Sequence, residues 1–181
     1  MRTGDKTRPY SLSTFRRGRK LRVGVLTNPL SGGNRRGIDR VQKVLAEHRQ
    51  VLSRQAQTPD EVAAALGDFG REEIDVVAVN GGDGTIQAVL TALFKDKPFE
   101  TPPLLAVLTA GTTSMIARDV GVWGRPAPAL TRLLGVARVE DGDGIVQQRR
   151  VLRVLTAPEQ EPRFGMFFGA GGIIQGIRFC R

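Results

Sequence analysis

The sequence predicts an α/β fold: a three-layer, mostly parallel sheet with helices on both faces, followed by the start of a β-rich, β-sandwich-like second domain. Three observations predict it. Short, β-branched apolar runs alternate with segments whose apolar residues recur at helical spacing. Glycine-bearing loops stand where three of those runs hand over to helical segments. From residue 136 the helical spacing stops and strand-like pieces follow one another. A repeated strand–helix order calls for parallel strands joined by right-handed crossovers.

The elements follow in order. Residues 21–27 (LRVGVLT) read as a buried strand, and residues 38–47 as a helix with Ile38, Val41, Val44 and Leu45 on one face. Residues 49–55 form a more polar strand. Thr58, Pro59 and Glu61 supply N-cap, N1 and N3 chemistry for a helix over 58–69, whose inward face is Val62, Ala65, Leu66 and Phe69. Residues 74–79 (IDVVAV) make a short strand. The helix over 84–94 turns Ile86, Val89, Leu90 and Leu93 inward. Residues 104–108 are another apolar strand, and 112–120 and 126–134 are short helices. Strand-like pieces at 136–140, 145–155 and 163–168 then follow, with a hairpin turn at 141–144 (DGDG) and a loop at 157–162. The domain reading is a basic tail over 1–20, an α/β domain over 21–135, and an incomplete β-rich domain over 136–181.

Bulk properties narrow the function. Residues 1–22 carry eight basic residues against Asp5, a local charge of +7 within a chain total of +9, so the remainder is nearly neutral. That tail suits attraction to anionic lipid headgroups. It lacks interleaved aromatics, and the body shows no basic face, so nucleic acid is not an expected partner. Cys180 is the one cysteine and His48 the one histidine, which excludes an intrachain disulfide and a protein zinc site. No apolar run approaches the ~20 residues that span a bilayer. A cytoplasmic protein, peripheral at the membrane, is the expectation. His48 reads as a helix-end cap, Trp123 as a packing anchor, Arg118 and Asp119 as a local pair, and Asp39, Arg40 and Glu47 as a solvated helix face.

The chemistry sits in the loops. Residues 28–34 (NPLSGGN) follow the first strand, 80–85 (NGGDGT) follow Val79, and 109–114 (TAGTTS) follow Leu108. Ligands of open α/β sheets bind beyond the carboxyl ends of the strands, so three such loops would share one crevice. Glycines let backbone N–H groups approach an anion closely, and the helix after each loop adds its positive end. Gly32, Gly33, Gly81, Gly82, Gly84 and Gly111 supply the glycines; Ser31, Thr85, Thr112 and Thr113 add hydroxyl donors. Asp83 would repel a phosphate unless a cation lay between them. A divalent ion, Mg²⁺, bridging Asp83 and phosphate oxygens resolves the conflict.

In this order NPLSGG, NGGDGT and AGTTSMIARDVG, the sequence resembles the catalytic domain of the diacylglycerol kinase family, which includes sphingosine kinases and bacterial lipid kinases and is related to NAD kinases. The resemblance runs from about Leu21 to the end of the chain. It implies transfer of the γ-phosphoryl group of ATP to a lipid hydroxyl, diacylglycerol-like or sphingoid, with Mg²⁺. It assigns Asn28, Ser31 and Gly33 to the first nucleotide loop. Gly81, Gly82, Asp83, Gly84 and Thr85 fall to the phosphate and Mg²⁺ loop, which Asn80 precedes, and Gly111 and Thr112 to the third loop beside Thr113. Four positions depart from the family pattern: Gln87 and Ala88 stand where Asn and Glu are usual, Thr109 where a proline is, and Ser114 where an asparagine is. The family's general base belongs to the second domain and is expected beyond Arg181, so no catalytic residue is assigned. A catalytically incomplete ATP-binding module is the alternative. An NAD kinase-like protein is a third choice, disfavoured by NPLSGG.

Overall fold

A computed structural model describes residues 10–11, 20–138, 145–155 and 160–167. The expected turn at 141–144, the glycine-rich stretch at 169–172, Cys180 and the basic tail apart from residues 10, 11 and 20 lie outside the described residues. Eight strands are described: β1 (Tyr10–Ser11), β2 (Val23–Thr27), β3 (Leu52–Gln55), β4 (Val76–Gly81), β5 (Leu104–Thr109), β6 (Ile145–Val146), β7 (Leu152–Val154) and β8 (Arg163–Gly165). The α-helices are α1 (Ile38–Ala46), α2 (Pro59–Arg71), α3 (Asp83–Lys95), α4 (Met115–Asp119) and α5 (Pro126–Arg138). A 3₁₀ turn, Asn34–Arg36, precedes α1.

The central sheet is four-stranded and parallel, in the order β3-β2-β4-β5. Val23 pairs with Val76 and Thr27 with Asn80, while Val76 pairs with Leu104 and Gly81 with Thr109. Alternation along the strands sorts the core into two faces. Leu26, Val77, Val79 and Val107 pack with Val62, Leu66 and Phe69 of α2, Ile86, Val89 and Leu90 of α3, and Ile116 of α4. Val23, Val25, Val76 and Ala78 pack with Val41 of α1 and Leu130, Leu134 and Ala137 of α5. The predicted three layers are therefore present. The chain leaves β2 toward β3 on one side and returns to β4 on the other, so the topological switch lies between β2 and β4, where a crevice opens in such sheets.

Local sequence explains the best-read elements. Thr58 caps α2: its hydroxyl accepts from the Glu61 N–H at 3.2 Å, the Glu61 carboxylate reaches back to the Thr58 N–H, and Pro59 starts the helix. His48 holds the Val44 carbonyl at 2.8 Å at the end of α1, as expected of a cap. Asp39, Arg40 and Glu47 are exposed, as expected of a solvated face.

Four expectations change. Residues 136–138 continue α5 rather than start a strand, because Leu130, Leu134 and Ala137 keep the helical spacing and all three are buried. The helix expected over 112–120 shrinks to Met115–Asp119, since Ser114 adopts a left-handed backbone (φ 48°) that no α-helix accommodates. Asn80 and Gly81 belong to β4, not to the loop that follows. The 145–155 piece divides into β6 and β7. β6 pairs with β1, and β7 pairs antiparallel with β8.

The β7–β8 hairpin lies against α3. Phe164 stacks on Phe94 with ring centroids 5.2 Å apart, and the Phe164 N–H donates to the Thr91 hydroxyl at 3.0 Å. Among the described residues, no helix is long and apolar enough to cross a membrane.

Candidate functional site

The three glycine-bearing loops meet at the carboxyl ends of β2, β4 and β5, and direct bonds join them. The Gly82 N–H donates to Ser31 Oγ at 3.1 Å, linking the second loop to the first. Asn28 Nδ2 donates to Thr85 Oγ1 at 3.0 Å across the same gap. The Gly33 N–H donates to the Ala110 carbonyl at 2.9 Å, linking the first loop to the third.

Beneath them sits Asn34, 1% exposed, whose Nδ2 donates to the carbonyls of Asn28 (2.7 Å) and Asn80 (3.0 Å). One buried amide thus clamps the ends of β2 and β4 together. Sequence reasoning missed Asn34 as a site residue: a single Asn inside a glycine-rich loop carries no local sign that its side chain turns inward. Asn80 is itself fully buried and donates to Thr27 Oγ1 at 3.4 Å. It supports the site from below instead of lining it.

The glycines serve two different ends. A Cβ at Gly81 would lie 2.6 Å from Thr85 Cβ, and one at Gly111 would lie 2.7 Å from Gly82 Cα. Neither fits, so these glycines let the loops pack on each other. A Cβ at Gly84 would meet nothing within 4 Å. Gly84 is the exposed glycine in the first turn of α3, where backbone N–H groups lack intrahelical acceptors.

A groove of about 320 Å³ opens over this point, bordered by Asn28, Ser31, Gly82, Gly84 and Thr85. It is also bordered by Thr58, Pro59 and Val62, which sequence reasoning did not place at the site, and by Ala88, the position where the family pattern has a Glu. Among the hydroxyls bordering the groove, those of Ser31 and Thr85 are oriented by the bonds they accept. Ser31 Oγ and Thr85 Oγ1 each accept a bond from protein nitrogen, which leaves each O–H proton free to donate to a ligand. A larger groove of about 690 Å³, bordered by Arg22, Arg49, Leu134 and Arg138, lies at the opposite ends of the strands. The smaller one holds the converging donors and sits at the switch point, and it is the candidate site.

Asp83 faces away from the groove, toward the third loop. Its carboxylate accepts from the Thr113 hydroxyl, the Met115 N–H and the Ile116 N–H, each at 3.1 Å. It therefore caps α4 from another helix, with negative charge at a positive helix end. Thr112 is exposed beside it. Ser114, in its left-handed backbone, donates to the Gly111 carbonyl and accepts from the Gly111 N–H at 3.1 and 3.2 Å. Among the described residues, no three His, Cys, Asp or Glu side chains gather into a metal cage.

Two local readings are corrected here. Asp119 pairs with Arg149 (Nε to Oδ2, 2.7 Å), not with its neighbour Arg118. Trp123 is 65% exposed and does not anchor packing. Adjacent residues on a helix point apart, and a loop tryptophan between glycines has no neighbouring face to enter.

The sequence profile of the diacylglycerol kinase catalytic domain matches residues 22–141, a span that takes in all three loops. The chain belongs to the diacylglycerol kinase catalytic domain family. A crystal structure of a diacylglycerol kinase from Bacillus anthracis str. Sterne aligns with a TM-score of 0.53 and 23% identity, covering 64% of this chain and 40% of that one. Two further structures from the same organism align with the same TM-score and identity, covering 40% and 42% of their chains. At that identity the likeness speaks for the fold. This chain spans about two fifths of the length of those structures. No curated protein is detectably similar in sequence. Membership of the diacylglycerol kinase family places the chain among kinase domains, and the bonded cluster of loops lies within the matched span.

Proposed function

We propose that this chain is the nucleotide-phosphate half of a lipid kinase that transfers the γ-phosphoryl group of ATP to a lipid hydroxyl. One observation carries the reading: Gly84, open to the groove at the start of α3, is flanked by the oriented hydroxyls of Ser31 and Thr85. A polyphosphate needs such an arrangement of donors without bulk. Phosphoryl transfer needs positioning and charge neutralisation more than covalent chemistry, and both come from loops of this kind.

Mg²⁺ fits the residues present. The Asp83 carboxylate offers about four acceptor sites, and protein donors fill three. One acceptor site remains, so Asp83 is the residue that would hold the ion, on the third-loop side and not inside the groove. Bound there, Mg²⁺ would offset the negative charge of the phosphates. Asn28, Ser31, Gly32, Gly33, Gly82, Gly84 and Thr85 would hold the nucleotide, with Asn80, Gly81, Gly111, Thr112 and Thr113 keeping the loops in place. The described strands β6, β7 and β8 make up the β-rich part that follows α5, and no base for the lipid hydroxyl is assigned among the described residues.

Isothermal calorimetry with Mg-ATP tests the binding step. Saturable heat and thermal stabilisation are expected; their absence refutes the reading. A second reading, ATP binding without turnover, gains support from Ala88, an apolar wall of the groove where the family pattern has a carboxylate. Labelled ATP with mixed lipids separates the two: labelled lipid supports the kinase, and bound ATP without labelled lipid supports the module.

A further inference from the structure

The loop between α4 and α5 carries an exposed aromatic side chain with a cation beside it. Gly121 (φ 78°) and Gly124 (φ 95°) both hold left-handed backbone, a conformation glycine adopts without penalty. Between them the chain is pinned. The Val122 N–H donates to the Ala117 carbonyl at 2.8 Å, Val122 packs against the core, and the Thr109 hydroxyl at the end of β5 donates to the Gly124 carbonyl. Val122 turns inward, and Trp123 stands out at 65% exposed. The Arg118 guanidinium lies over its ring, 5.7 Å from the centroid. Met115, three residues before Arg118 and therefore on the same side of α4, is 53% exposed.

The charge around this patch is positive. Arg118 and Arg125 are exposed. Asp119, the carboxylate of α4, is engaged by Arg149 through both its side chain and its carbonyl. Asp83 is occupied by Thr113 and the first N–H groups of α4. An indole with an apolar body and a polar N–H, a neighbouring thioether and a guanidinium suit the boundary between acyl chains and anionic headgroups.

We propose that Trp123, Met115 and Arg118 form a docking surface for an anionic lipid bilayer. The proposal builds on the lipid-kinase reading, because a lipid acceptor requires the crevice to approach a membrane, and the patch lies on α4 and the loop after it, directly following the third loop of that crevice. Trp123 inserts at headgroup depth and Arg118 pairs with lipid phosphate. The residues of this surface are not those of the basic tail.

Trp123 is the chain's one tryptophan, so its emission reports this loop alone. The full chain is mixed with vesicles of equimolar phosphatidylcholine and phosphatidylglycerol, and with phosphatidylcholine alone. With the anionic vesicles the emission is expected to shift to shorter wavelength and to be quenched by brominated acyl chains, and the effect is expected to fade with salt. Trp123→Ala is expected to weaken co-sedimentation at least about tenfold. Arg118→Gln is expected to weaken it about fivefold. Both side chains are exposed, and unchanged circular dichroism melts would confirm that the variants fold. Co-sedimentation with unchanged tryptophan emission would overturn the proposal, since binding would then run through the tail. So would an equal shift with neutral vesicles, a shift that follows protein concentration without lipid, or no binding. Mg-ATP calorimetry on the same sample keeps the two readings apart: lost ATP binding with intact vesicle insertion sinks the kinase, not the surface.

Discussion

Two neighbouring glycines, Gly81 at the end of β4 and Gly84 in the first turn of α3, are predicted to fail in opposite ways when replaced by alanine. At Gly81 the new Cβ would stand 2.6 Å from Thr85 Cβ and 2.7 Å from both Thr85 Cγ2 and Oγ1. Thr85 Cβ is fixed to the α3 backbone, so a rotamer change cannot relieve the clash, and the start of the helix must shift. Overpacking of this kind costs about 1–3 kcal/mol. Moving Thr85 also breaks its bond from Asn28, worth about 1 kcal/mol. A loss of roughly 2–4 kcal/mol lowers the melting temperature by roughly 4–16 °C in a domain of this size. At Gly84 nothing lies within 4 Å of the added methyl, and alanine is the better helix former by up to about 1 kcal/mol. Gly84→Ala therefore melts at or above the parent temperature. The methyl would nonetheless occupy the space over the first N–H groups of α3, where the phosphates would sit. Each lost bond to a charged group costs about 1.5–3 kcal/mol, so Mg-ATP affinity should fall tenfold or more. Differential scanning calorimetry and titration calorimetry on the two variants measure both effects. A Gly84→Ala protein that binds Mg-ATP like the parent refutes the phosphate placement. A Gly81→Ala protein that melts like the parent refutes the packing.

Three further outcomes follow from the same geometry. Asp83→Asn replaces one acceptor oxygen with an amide facing N–H donors at the start of α4; a loss of about 1–2 kcal/mol is expected by thermal unfolding, and ATP binding should lose its dependence on Mg²⁺. Ser114→Asn should gain about 0.5–1 kcal/mol in urea denaturation, because the left-handed backbone at φ 48° disfavours most side chains and Asn tolerates it best; a less stable variant would show that the Ser114 Oγ bonds to Gly111 matter more. The hydrogen bond from Arg54, which ties β3 to α2, holds the Asp68 carboxyl below its ordinary pKa despite some opposing desolvation, and Arg71 adds to the effect. A depressed carboxylate contributes stability above its unfolded value, near 3.9, and that contribution is lost as pH falls through the folded value. Acid melts of Arg54→Gln should therefore be less stable at neutral pH and show a flatter decline below about pH 4.

Much of this molecule is legible in the chain because the signals are local. The 3.6-residue spacing of Val62, Ala65, Leu66 and Phe69 places α2, and Thr58, Pro59 and Glu61 place its start within one turn. The β-branched run of β4 needs no partner to be recognised, since a strand buried on both faces is apolar throughout. The three loops are visible for the same reason: glycine clusters break both periodicities at once. The basic tail and the 169–172 glycines are equally plain in the sequence but lie outside the described residues.

What each loop residue does was decided elsewhere. Asp83 meets Met115 and Ile116 across more than thirty positions, and Asn34 reaches Asn80 across 46. Gly81 is needed for Thr85, Gly111 for Gly82, and Gly84 for neither. Trp123 emerges from the surface although the sequence reading made it a packing anchor. The amino-acid order alone placed most of the strands, helices and turns, because those preferences act over a few residues, but not the extension of α5 to Arg138, the late start of α4 or the division of 145–155 into β6 and β7. Only the parallel register of β2, β4 and β5 decided which turns touch, because a contact between distant residues exists only once a shared core has brought their strand ends together.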